Sequence, residues 1–353
     1  MAEQDFLSEI MNFNPQDLSV FQSNDDKPQY DQNIYKTNPV AKDIKVASED
    51  GHYRSTVRII YNPFDVKRSI VDQTTYYLTD SQGSLLVRSA LADGDKNCPI
   101  FKAWKKLWFS GDEAKKDFAK QMFDRSESRW VLVQIMEDAN RPNLVGKFMV
   151  WKLPTVVFEK MQAKMNPSPE SKKNPVALMD YLLGPALEID VTPGPDDPKN
   201  PSRKQREISY SLCDFGTDPM PITKVDGTPL FTDTELETID AYATAKSNME
   251  KAKSDAKKEA ARKEAMDLVP AMKEIYSKAL DYLKENAVNL VQECAYHPYS
   301  EDVAKRIQNW CDIVVQGLDP KSATVNESAA QVVVETAGEA EIPQVEVAED
   351  LPF

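Results

Sequence analysis

Residues 128–154, SRWVLVQIMEDANRPNLVGKFMVWKLP, decide the fold class. Two runs rich in β-branched and aromatic residues flank the loop ANRPN (139–143), which is the pattern of an antiparallel hairpin. Val131, Val133 and Ile135 recur with the strand period of two and define an inward face. Trp130 falls on the opposite face, which makes it a candidate for exposure. Immediately beyond, TVVFEKMQAKM (155–165) reads as a helix.

Working outward, HYRSTVRIIYNP (52–63) alternates in the same way, and Tyr53 and Tyr61 share the face of Val57 and Ile59. DQTTYYLTD (72–80) and GSLLVRSAL (83–91) form a further hairpin around Ser81-Gln82-Gly83. Residues 98–123 are helical, with Phe101, Trp104 and Trp108 at helical spacing and a Ser-Gly-Asp break before a second short helix. Trp104 and Trp108 read as core anchors, with Lys102, Lys105 and Lys106 as a solvated or phosphate-facing side. Downstream, ALEIDVTPG (186–194) and KQREISYSLCDFG (204–216) are two more strands, separated by a proline-rich loop. At least six strands without regularly alternating helices indicate an α+β fold, a β body with helical insertions, and not a parallel sheet.

From residue 216 the texture becomes helical. Thr232 and Glu235 fit a capping box at the head of a long Ala/Lys/Glu-rich helix, which Pro270 should kink or stop. Residues 271–293 and 300–318 follow as better amphipathic helices. The organisation expected is an acidic arm (1–50), a β domain (51–215), a helical extension (216–318) and a disordered acidic tail (319–353).

The 353 residues carry a net charge of −14, which by itself argues against a polyanionic partner. The excess lies at the ends: residues 1–50 hold 4 basic and 10 acidic side chains, and residues 319–353 hold 1 and 8. Residues 51–210 have 25 Lys and Arg against 20 Asp and Glu, so a mildly basic body carries acidic arms. The absence of a signal-like start or an 18-residue apolar run implies a cytoplasmic protein without a membrane partner. Four scattered cysteines and two histidines argue against disulfides and a zinc site. There is no phosphate-binding loop, nucleophile elbow or HExxH motif, so the expectation is a non-enzyme with no metal and no cofactor. A nuclease or nucleotide-processing enzyme using unrecognised carboxylates is a further alternative.

What the strands do offer is aromatics interleaved with bases: Tyr53, Arg54, Arg58 and Tyr61, then Tyr76 and Tyr77, Arg129 and Trp130, and Lys147, Trp151 and Lys152. Aromatic faces that stack bases while Lys and Arg follow phosphates are the chemistry of sequence-tolerant single-strand binding. Aromatics that simply fill a core, in a structural or scaffold protein, are the competing reading.

The succession TVRIIYNP, TTYYLTD, DKNCPIFKAW, SRWVLVQIMED, GKFMVWKLP and VFEKM resembles the core of T-even-type phage single-stranded-DNA-binding (helix-destabilising) proteins over about residues 52–215. The resemblance implies an OB-type β body that coats single-stranded DNA during replication, recombination or repair. By position it assigns Arg58, Tyr76, Tyr77, Trp130, Lys147 and Phe148 to the binding region, and local charge adds Arg54, Lys105, Lys106, Arg129 and Lys152. Phe101 stands where the family has the second cysteine of a Cys-Pro-x-Cys, so its structural zinc should give way to packing of Phe101 and Trp104. The family's arm is basic and joins neighbours on DNA. Here the arm is acidic, and self-association on DNA stays an open expectation. Asp350-Leu351-Pro352-Phe353 is similar to the tip of bacterial single-stranded-DNA-binding proteins, which implies docking of replication or repair proteins.

Overall fold

The computed structural model describes residues 14, 18, 52–88, 98–123, 125–139, 141–171, 174–193, 208–294 and 299–322. Nearly all of the acidic arm, most of the tail and the whole Asp350–Phe353 motif lie outside the described residues.

The described body is α+β, built on an antiparallel sheet. Its strands are β1 (Tyr53–Ile60), β2 (Ile70–Asp80), β3 (Gly83–Arg88), β4 (Arg125–Asp138), β5 (Phe148–Leu153), β6 (Pro185–Pro193), β7 (Ile208–Ser209) and β8 (Asp214–Pro219). The long β4 organises it. One edge pairs with β5, so the expected hairpin is present, with Val131 opposite Trp151 and Trp130 opposite Lys152. The other edge pairs first with β2 and then with β1: Ile70 faces Val131 and Ile60 faces Leu132. The chain therefore runs along β4 as one interrupted strand, and residues 61–69 leave and rejoin it between adjacent rungs. That excursion is self-bonded, with Asn62 N donating to Ser69 Oγ at 2.9 Å and Ser69 Oγ to Val66 O at 2.6 Å. β6 lies on the far side of β1 and carries β7 and β8. Of the strand expected over 204–216, residues 204–207 lie outside the described residues, and the rest holds β7 and the start of β8 with a turn between them.

Helices α1 (Pro99–Trp108) and α2 (Glu113–Met122) form the insertion between β3 and β4, and α3 (Thr155–Met165) joins β5 to β6. α4 (Asp233–Lys251) starts with the anticipated capping box, in which both reciprocal bonds of Thr232 and Glu235 are made. The long helix breaks at residues 252–254, not at Pro270, and α5 (Asp255–Asn286) continues through that proline. Pro270 sits on an exposed side shared with Met266, 61% exposed, where the carbonyl deprived of its amide partner can meet water. α6 (Leu290–Glu293) and α7 (Glu301–Val315) complete the described chain.

The change of texture at residue 216 is not a gap in packing. One apolar cluster joins Val57, Leu132, Trp151 and Leu187 of the strands to Ile239, Met272, Tyr276 and Leu283 of α4 and α5. A second cluster joins Tyr76, Leu78 and Val87 to Ile100, Trp104 and Leu107 of α1 and to Ile307, Trp310 and Val314 of α7. Burying these side chains stabilises each by roughly 1.5–3 kcal/mol. Among the described residues no helix is long and apolar enough to cross a membrane.

Candidate functional site

Three of the residues expected to contact DNA are buried. Arg58 is 0% exposed. Its guanidinium donates to the carbonyls of Met220 (2.6 Å), Leu178 (3.2 Å) and Pro185 (2.5 Å), and also to that of Asp180. The Asp180 carboxylate lies 2.8 and 2.7 Å from Tyr276 Oη on α5, and also accepts from the Leu182 and Leu183 amides. Burial lowers the Arg58 pKa to about 10, with the Asp180 charge opposing the shift, so the side chain stays cationic at neutral pH. Gly184 makes room for this contact: a Cβ there would lie 2.5 Å from Arg58 Nη2 and 2.6 Å from Leu178 O. Arg58 therefore ties β1 to the 178–185 segment and, through Asp180, to α5. It cannot reach a phosphate in this arrangement.

Trp130, expected on an open face, is 3% exposed. Its face is open within the sheet but is capped by Leu290 and Cys294, packed with Val71 and Val150. Tyr76 is 5% exposed beneath α1, and burial raises its pKa, so it belongs to the second core. These corrections share a cause, since segments distant in the chain cover the side chains: residues 178–185 and Met220 at Arg58, Leu290 and Cys294 at Trp130, and α1 with the later residues Ile307 and Trp310 at Tyr76.

The other expected residues reach the surface without forming one cluster. Arg54 pairs with Asp190 (Nε to Oδ2 3.3 Å), which also meets His52 Nδ1 at 2.6 Å, and Glu137 and Glu188 are exposed nearby on the paired strands. Arg129 is half-buried, with its guanidinium 4.1 Å from the Phe158 ring centroid on α3 and Nε 3.3 Å from Asp72 Oδ1, too misaligned for a hydrogen bond. Lys147 is exposed beside Gly146, and half-buried Phe148 packs 6.5 Å from the Tyr282 ring of α5. Lys152 is exposed opposite Trp130, and Tyr77 is 51% exposed on β2 opposite Leu86 on β3.

Lys105 and Lys106 are exposed on α1, and here the surroundings suit a polyanion. Residues 98–123 hold six lysines against three acids. Two of those acids are engaged locally, Glu113 by Lys116 (2.7 Å) and Asp117 by Lys120 (2.9 Å). Lys102, Lys105 and Lys106 make no ion pair with any described residue.

The β2–β3 hairpin is fixed from behind by α7. Arg306 grips Asp80 through Nε and Nη2, both at 2.7 Å, Trp310 Nε1 donates to Thr79 O at 3.0 Å, and Phe123 meets Trp310 edge-on at 5.4 Å. The Arg306 hydrogen bonds hold the Asp80 carboxyl below the usual carboxylate range. Cys98 and Cys311 are buried free thiols in this core, and burial with the neighbouring Cys98 pushes Cys311 up to about 12. Phe101 and Trp104 stack at 5.8 Å.

The sequence reading missed Phe109, which is 59% exposed. The signal was available: at 100° per residue, Lys102, Lys105, Lys106 and Phe109 fall on one stripe of the helix. No protein-family model matches the sequence, and no curated protein does.

Proposed function

We propose that the chain binds single-stranded DNA without catalysis, in the manner of the T-even-type phage helix-destabilising proteins, in the cytoplasm of a host cell. In this reading the Asp350-Leu351-Pro352-Phe353 motif recruits replication or repair proteins. The observation that carries it is the α1–α2 hairpin, a lysine-rich, aromatic surface on a chain whose net charge is −14.

Its place in the topology supports the same reading. Pairings β1–β4, β4–β5, β1–β6 and β6–β8, with α3 between β5 and β6, follow the strand succession of an OB-type sheet. On that scheme β2, β3, α1 and α2 are the connection between the first two strands, one of the loops from which such sheets bind oligonucleotides. The interface then centres on Lys105 and Lys106, with Tyr77, Lys147 and Lys152 as outlying contacts.

The test is polarisation of a labelled oligo-dT and of the matching duplex, titrated with the full chain at several salt concentrations, followed by incubation of each with magnesium. Salt-sensitive binding of the single strand alone, without cleavage, is the expected result. No response to either DNA would favour a scaffold protein with aromatics serving only as core. Turnover would favour an enzyme.

A further inference from the structure

We infer that Trp108 and Phe109, with Lys120, form a base-stacking site, and that Lys102, Lys105 and Lys106 hold the phosphates beside it; the inference rests on the single-strand reading above. α1 buries one stripe, Ile100, Ala103, Trp104 and Leu107, none more than 8% exposed. Lys102, Lys105, Lys106 and Phe109 lie on the opposite stripe, and Phe101 and Trp108 occupy the flank between lysines and core. The aromatic rings form a continuous column: Phe101 on Trp104 at 5.8 Å and 23°, then Trp104 on Trp108 at 5.4 Å and 24°.

Phe109 extends this column toward solvent. Its ring stands edge-on to Trp104 at 6.1 Å and 83°, and is the most exposed aromatic ring of the described residues. A phenyl ring held against a buried indole loses little further freedom when a ligand covers it, so most of the stacking energy appears as affinity. Lys120 Nζ reaches over Trp108 from α2, 5.8 Å from the ring centroid.

Charge selects the occupant. Exposed aromatics rimmed by lysines without ion-pair partners among the described residues suit a polyanion that also offers flat apolar faces. Only unpaired bases present such faces, because a duplex keeps them stacked on each other.

Of the five tryptophans, Trp104, Trp130, Trp151 and Trp310 are 8%, 3%, 1% and 2% exposed, and Trp108 is the half-buried one. Quenching by a stacked base should therefore report on Trp108. The experiment uses the full chain and oligo-dT, reading affinity by polarisation and stacking by intrinsic fluorescence. Phe109→Ala is expected to weaken binding by about fivefold to a hundredfold, at an unchanged melting temperature. Trp108→Phe is expected to bind but to lose most of the DNA-induced quenching. Affinity within twofold of wild type in Phe109→Ala, or quenching that survives Trp108→Phe, would overturn the stacking site while leaving the single-strand reading intact. A wild-type chain that fails to bind oligo-dT would overturn that reading and the inference with it.

Discussion

The β4–β5 surface and the α1 surface read alike in sequence, each a run of aromatics interleaved with bases, yet the fold treats them differently. On the sheet, Trp130 is 3% exposed and Arg58, one strand away, is 0% exposed. On α1, three lysines and Phe109 face outward. The difference is geometric. A strand in the middle of a sheet has two faces, and chain elements far away in sequence can cover both. A helix docked by one stripe leaves the opposite stripe in water, because a single layer of contacts cannot encircle it.

The largest expected effect breaks the sheet side of this contrast. Arg58→Ala would leave four backbone carbonyls without their donor and the Asp180 carboxylate without its neighbouring cation, and removing one partner of a buried ionic network costs about 3–5 kcal/mol. Denaturant unfolding should show that loss, while DNA affinity per folded molecule stays at the wild-type value. A variant as stable as wild type but defective in DNA binding would return Arg58 to the interface. Gly184→Ala strikes the same network sterically, and its overpacking should cost about 1–3 kcal/mol. Because both changes disturb one set of contacts, the double variant should lose less than the two single losses added together.

The helix side should respond in affinity and not in stability. Lys105→Ala with Lys106→Ala removes two exposed charges that make no ion pair with any described residue. If both reach phosphates, the salt slope for single strands should fall by about 1.4, at ~0.7 per contact, and affinity at 0.1 M salt by about tenfold. An unchanged slope would show that phosphates run elsewhere, and the exposed Lys147 and Lys152 of the hairpin would be the next pair to remove.

Much of the fold was legible because local patterns suffice for it. The hairpin over 128–154, the helices near 99–108 and 155–165 and the Thr232 capping box all follow from periodicity and cap chemistry within a few residues. What could not be read is what covers each element. The partners of Trp130 are Leu290 and Cys294, and that of Arg58 through Asp180 is Tyr276. No period within a strand encodes contacts so distant in sequence. Pro270 does not stop its helix for a related reason, since a proline on an exposed helix face exposes only a carbonyl that water can satisfy. The candidate site was legible unevenly: the charge of Lys105 and Lys106 marks them in the sequence, whereas the exposure of Phe109 depends on which stripe of α1 is docked.

The smallest effect concerns how the helical platform is held. The Arg306–Asp80 pair is bidentate but lies at the rim, with side chains 25% and 16% exposed, unlike the fully buried Arg58. It should therefore contribute on the order of 1 kcal/mol and not several. Because the Asp80 carboxyl is depressed in the folded state, its contribution is fully present above the ordinary carboxylate pKa and is lost as the pH falls through the lower folded value. Asp80→Asn should thus be less stable than wild type at pH 7, and the gap should narrow below about pH 4. Thermal melts at a series of pH values measure this directly. A gap that stays constant into acid would mean that Asp80 acts on the β2–β3 turn through shape alone, and that α7 is held by Trp310 and its apolar neighbours.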